Sequence, residues 1–509
     1  MLSFIASSIS RINKIHLFLF VFILFLAIVL RGQEVFTNNY LFLIDQGRDM
    51  MDVKKIIFDH HITLIGPYTS LGGVFQGPIY YYLLSIPTLL TGGDPIGPLI
   101  LMLLISLSAA LLVYFWMNKL FGFKTAILTF LLFAVSPEAI SAATYTWNPH
   151  PMWLMLVVYS FSLFETVSGK QKFHFLLWPS IGLMFHFEMA LGFFILLSTI
   201  SFFLIFAKDK IKNRYFIYGL VILIFTFLPQ IIFELRHDFL MSRSVMEILS
   251  GKDQGLIVKG ESRSYLDLLN NHFHEFVNNY NSSFVRTGIL SNLPIFAFVF
   301  ILFSFLFGQK ARFINVKEYK FIKILASIVL IVFLLTAFYP FPIRYWFLTG
   351  FQTLYILILG VLFGRLWGYR FGKIVLILLF FYFAIHVYNR IDLLYFHPPD
   401  QGGTAKIKGK KEAIDYVYND SKGKKFGLLV FTPPVNTDAY DYIIWWYGNK
   451  NYGYLPHKEK KGIFYLLIEK DASQPWSYKG WLETVVKTGE IIDTKTLPNG
   501  FIVQKRYQK

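Results

Sequence analysis

The sequence predicts an α-helical polytopic membrane protein of about eleven transmembrane helices, followed by a C-terminal extracytoplasmic α/β domain. Three observations lead there. Hydrophobic residues make up 55% of the 509 and mean hydropathy is +0.51, with several apolar runs too long to be buried helices of a soluble domain. Lys and Arg crowd every second connection between those runs, the asymmetry that fixes which side of a membrane each connection faces. In residues 389–509 the apolar runs shorten to strand length and mix with helix-like segments.

The net charge of +17 sits mostly in short loops beside the spans, where it sets topology and does not imply nucleic acid. The absence of cysteine excludes a disulfide framework, a thiolate zinc site and a thiol nucleophile. Any outward-facing domain therefore stands on packing alone.

The first span, 15–31, follows Arg11 and Lys14 like a signal peptide, yet Leu30-Arg31-Gly32-Gln33 offers no small-residue cleavage pattern, so it reads as a retained anchor. Further spans are expected at 96–116, 125–141, 147–164, 173–187, 189–207, 215–233, 289–307, 321–338, 346–363 and 374–386. The run 79–90, between Gly77-Pro78 and Gly92-Gly93, falls short of the roughly 17 residues a crossing needs and should lie in the interface or re-enter. The run 173–207 must cross twice, with a turn near Glu188, because Lys170 and Lys172 before it and Lys208, Lys210, Lys212 and Arg214 after it belong on one side. That side is the cytoplasm, shared with the N-terminus. A first loop (32–95), a second long loop (234–287) and the tail then face outward from the plasma membrane. The chain divides into a membrane domain, 1–388, and an extracytoplasmic domain, 389–509.

In the tail, 426–431 and 463–468 read as strands, 410–418 and 438–447 as helices, and Pro498-Asn499-Gly500 as the turn of a closing hairpin between 491–496 and 501–505. It holds no catalytic motif. No pair of broken helices repeats in two halves, as it does in many secondary transporters.

The first loop is richest in chemistry. Asp45, Asp49 and Asp52 share one helical face, while Met50, Val53 and Ile57 share another, so an amphipathic helix on the membrane surface is expected. Its acids form either a solvated face with an Arg48–Asp52 pair, or a carboxylate held at the lipid boundary, where partial desolvation improves a general base. Asp45, nearest the anchor, fits the second reading best. Farther on, Gly72-Gly73 and Gln76-Gly77-Pro78 precede Tyr80-Tyr81-Tyr82: either backbone that closely approaches a ligand or an interfacial aromatic belt. His60-His61 hints at a metal but lacks further ligands at suitable spacing. Asn148, His150, His186, Glu188, Glu234, Arg236, His237, Asp238, Arg344 and Tyr345 cluster at the outward ends of separate spans, as the lining of one outer-leaflet cavity would. A transporter needs polar groups through both leaflets, and here they stop at one side.

Asp45-Gln46-Gly47-Arg48-Asp49, Gln76-Gly77-Pro78-Ile79-Tyr80-Tyr81, Trp147-Asn148-Pro149 and Arg344-Tyr345 together resemble the GT-C superfamily of membrane glycosyltransferases, in the branch of protein O-mannosyltransferases and lipid A aminoarabinose transferases. The resemblance covers the membrane portion and not the tail. Gln46 departs from the usual Asp-Glu, Gln76-Gly77 from His-Pro-Pro or Glu-Lys-Pro, and Asn148 from an acid, which puts a metal or second-carboxylate role in doubt. The resemblance implies inverting transfer of a sugar from a polyprenyl-phosphate carrier to a glycan, lipid or protein acceptor hydroxyl on the outer face. Asp45 is then the catalytic base, and Arg344 and Tyr345 hold the donor phosphate. Asp49, Gln76, Tyr80, Asn148, His186 and Glu188 shape the substrate pocket. No cofactor is assigned, and a divalent metal is left open. The alternative class is a transporter or flippase of lipid-linked sugars.

Overall fold

The computed structural model describes residues 14–250, 264–284, 314–396, 403–471 and 473–509, with 298–299, 304 and 306. Most of the span expected at 289–307 lies outside the described residues. Among them, five helices are long and apolar enough to cross a membrane: Lys14–Thr37, Ile96–Phe121, Met189–Phe206, Val316–Thr336 and Arg370–Phe396. A sixth span arises if Arg214–Thr226 and Leu228–Arg236, bent by 48° at the break, count as one. The chain is thus an integral membrane protein with several transmembrane helices, and the expected eleven is corrected to five or six among the described residues.

The difference has local causes. Proline and turn residues cut runs that look continuous in hydropathy. The run at 125–141 becomes a helix Phe123–Val135 and a separate five-residue helix Pro137–Ser141, because Ser136, preceding proline, is extended. Pro149 and Pro151 delay the next helix to Met152–Val167, and Gly350, at φ +85°, delays another to Gln352–Leu366. The helix His174–Phe187 has 14 residues. Glu188 ends it and caps Met189–Phe206, so the turn expected near Glu188 is present, but of the two crossings expected there only Met189–Phe206 is long and apolar enough to span. The 12-residue Ile79–Leu90 is a short apolar helix.

Breaking a helix inside an apolar bundle strands its last carbonyls. Arg31, fully buried within the Lys14–Thr37 helix, meets this need: its guanidinium donates to the carbonyls of Ala134 (2.7 Å) and Phe133 (2.9 Å) and to Ser106 Oγ (3.0 Å).

The C-terminal domain is α/β, as expected. Its sheet has the order β1-β2-β4-β3, with β1 (Gly427–Phe431) parallel to β2 (Gly462–Ile468), and β4 (Ile502–Gln508) antiparallel to both β2 and β3 (Glu490–Thr496). β3 and β4 form the closing hairpin. The first loop joins this domain's core: Tyr40, Phe42 and Met50 pack with Ile414, Tyr440, Tyr442 and Trp446. Backbone bonds tie the two, with Phe42 N donating to Ala405 O (3.1 Å) and Ile407 N to Tyr40 O (2.9 Å).

Candidate active site

The helix Ile44–Ile57 is the expected amphipathic helix, with Met50 and Val53 buried. Gln46 closes its first turn: Oε1 accepts from Leu43 N (2.9 Å), and Nε2 donates to Thr146 O (2.8 Å). Gly47 lies against the backbone of Ala439, where a Cβ would overlap Ala439 N and Cα. The helix therefore rests on the C-terminal domain rather than on a membrane surface alone. A helical side chain leans toward its own N-terminus. Arg48 accordingly meets Asp45 (3.1 Å) and Asp49 (2.8 Å), not Asp52 as the solvated-face reading expects, and Asp52 pairs with Lys55 (2.7 Å).

The two acids differ in burial. The Asp45 side chain is 46% exposed and that of Asp49 only 2%. Burial pushes the Asp49 carboxyl up to about 6 against the opposing pull of Arg48. Desolvation thus falls on Asp49, one turn beyond the acid for which it was expected.

The glycines of the first loop bring chain to chain. Gly66 N donates to Gln76 O (2.8 Å) and Gln76 N to Pro67 O (2.9 Å). A Cβ on Gly77 would overlap the His186 imidazole. That ring spans two segments: Nδ1 is 3.4 Å from Ile79 N, and Nε2 is 2.8 Å from the Thr226 carbonyl at the bend between Arg214–Thr226 and Leu228–Arg236. His186 is therefore a strut. Asn148 is another, its Nδ2 donating to Phe187 O (2.7 Å) beside Glu188, which is buried and accepts from Ala190 N (3.4 Å).

These elements enclose a cavity of about 810 Å³. Of the residues predicted from sequence, Asp45, Gln76, Asn148, Glu188 and Tyr345 line it; Asp49, Tyr80, His186 and Arg344 do not. Asp49 and Tyr80 are buried behind the wall, with Asp49 bonded to Arg48. Arg344 lies within electrostatic reach of Glu275, and its Nε is buried without a hydrogen-bond partner. Gln76 Oε1 is likewise buried and unpaired at the wall. The sequence reading missed Arg48, the cation that does line the cavity; its signal was an arginine between acids at positions −3 and +1. It also missed the apolar wall built by Phe193, Phe194, Phe338, Phe341 and Phe347, since phenylalanine is common throughout the chain.

Among the described residues no three His, Cys, Asp or Glu side chains gather to hold a metal ion. Asp45 and Asp49 are engaged by Arg48 instead.

The profile of the dolichyl-phosphate-mannose-protein mannosyltransferase family matches residues 76–233, a segment that holds Gln76, Tyr80, Asn148, His186 and Glu188. Curated proteins give no match. Among solved structures, ArnT from Cupriavidus metallidurans bound to undecaprenyl phosphate superposes with a TM-score of 0.50 at 11% identity, covering 96% of this chain and 97% of that one. The chain has the GT-C fold. The archaeal oligosaccharyltransferase AglB from Archaeoglobus fulgidus, in complex with an inhibitory peptide and a dolichol-phosphate, aligns at 14% identity over 96% of this chain and 74% of its own, with a TM-score of 0.49. The likeness to ArnT extends through the C-terminal domain, beyond the membrane portion to which the GT-C motifs are confined.

Proposed function

We propose that this chain is an inverting glycosyltransferase that moves a sugar from a polyprenyl-phosphate carrier to an acceptor hydroxyl on the extracytoplasmic face. The observation that carries the reading is the cavity: an aromatic and aliphatic wall suited to a prenyl chain, interrupted by Asp45, Arg48, Gln76, Asn148 and Glu188. The GT-C fold and the family match support it, as does the undecaprenyl phosphate bound by ArnT.

In this reading the acceptor oxygen attacks the anomeric carbon as Asp45 takes its proton. The bond from that carbon to the phosphate oxygen breaks, and polyprenyl phosphate leaves with the electron pair. A single displacement inverts the centre. Phosphate is a good leaving group, so no general acid is needed, and no step passes through a metal. Arg48 orients Asp45 and is the cation on the cavity wall, while Arg344, next to the cavity-lining Tyr345, would reach the departing phosphate only by turning its guanidinium toward the cavity.

Release of polyprenyl phosphate by the purified full chain tests this, with Asp45→Asn and Arg344→Ala as variants. Loss of a general base should slow turnover by about a hundredfold or more. Wild-type protein that carries the lipid-linked sugar across vesicles without cleaving it would instead establish a transporter.

A further inference from the structure

Beside the main cavity lies a second one, of about 320 Å³, and Trp147 and Tyr345 line both. The two rings stand 6.3 Å apart at the seam. The second wall differs in chemistry. Asn279 and Gln352 line it, both more than nine-tenths buried, and Asn279 Oδ1 and Gln352 Oε1 have no hydrogen-bond partner. The Asn279 amide is held in that orientation, because its Nδ2 donates to Leu348 O at 2.9 Å. Glu138 and Glu275 add carboxylates to the same lining.

Buried acceptors without donors cost free energy and call for a ligand or water. An apolar chain cannot satisfy them, and an anion meets two carboxylates. A free cation is disfavoured by Arg344, which already lies in the field of Glu275. What fits is a neutral molecule rich in O–H donors with an apolar face for the indole and phenol rings at the seam. The volume sits at the small end of small-molecule sites.

We propose that the second cavity is a carbohydrate subsite, in which Gln352 and Asn279 accept hydrogen bonds from sugar hydroxyls beside Trp147 and Tyr345. This rests on the transferase reading for its place in a reaction, though not for its binding chemistry. The sugar comes either from the donor or from a glycan acceptor, since both present the same hydroxyls.

The test uses the detergent-solubilised full chain and saturation-transfer NMR with free mannose, glucose, galactose, arabinose and N-acetylglucosamine. At least one sugar should bind the wild type. Gln352→Leu and Asn279→Leu should each weaken it at least tenfold, and Gln352→Glu, which keeps an acceptor oxygen, should retain it. Binding of undecaprenyl phosphate should stay within twofold in all three variants, which also shows that they are folded. No sugar binding to the wild type, or equal binding by the leucine variants, overturns the subsite and leaves a water-filled cavity. Sugar binding by a wild type that does not bind undecaprenyl phosphate leaves the subsite standing and removes the transferase reading. In turnover with dolichyl-phosphate mannose, a rise in KM for that donor places the donor's sugar in the subsite; a rise in KM for the acceptor places the acceptor there.

Discussion

At the scale of single residues, the site turns on how one arginine is shared. Arg48 holds Asp45, which faces the cavity, and Asp49, which does not. Because burial raises the Asp49 carboxyl from 3.8 to about 6, the folded chain takes up that proton more readily than the unfolded one. Its contribution to stability is full below pH 3.8 and is lost as pH rises through 6. Asp49→Asn is neutral throughout. The wild type should therefore lose stability relative to Asp49→Asn between about pH 4 and 6, and the difference should level off above; parallel melting curves of the two across pH 4–8 check it. A constant difference over that range would show that the carboxyl is not desolvated in solution.

At the scale of elements, the site depends on close approaches that only glycine permits. Gly77 lets the first loop seat against His186, and His186 reaches the Thr226 carbonyl at the helix bend. Gly77→Ala should push the ring aside and destabilise the chain by about 1–3 kcal/mol, the usual range for overpacking. Denaturant titration reads it, and a variant as stable as wild type counts against the strut. Much of this level is legible in sequence. The Ile44–Ile57 helix follows from its spacing of acids and apolar residues and the closing hairpin from Pro498-Asn499-Gly500, while the turn at Glu188 is present without the two crossings from which it was argued. The number of spans is not, because hydropathy averages across Ser136-Pro137 and Pro149 while backbone geometry does not. Nor is the position of Arg344 outside the cavity lining: its neighbour Glu275 is distant in sequence and carries no local signal toward it.

At the scale of the whole molecule, the C-terminal domain and the first loop share one hydrophobic core, which ties the tail to the helix that carries Asp45. Phe42 is fully buried, 6.2 Å from the Tyr442 ring and in one cluster with Met50 of the Ile44–Ile57 helix and Ile414 of the C-terminal domain. Tyr442 in turn donates to Gly93 O at 2.7 Å, holding the end of the first loop against the same domain. Phe42→Ala leaves a cavity between the two parts, and truncating a buried phenylalanine costs about 3–5 kcal/mol. If the unit is shared, amides of the Ile44–Ile57 helix should lose hydrogen-exchange protection together with those of β2 and β4, while the Ile96–Phe121 helix keeps its own. Protection lost in the helix alone would mean that the tail is an independent module, and that Asp45 is held by the membrane domain without it.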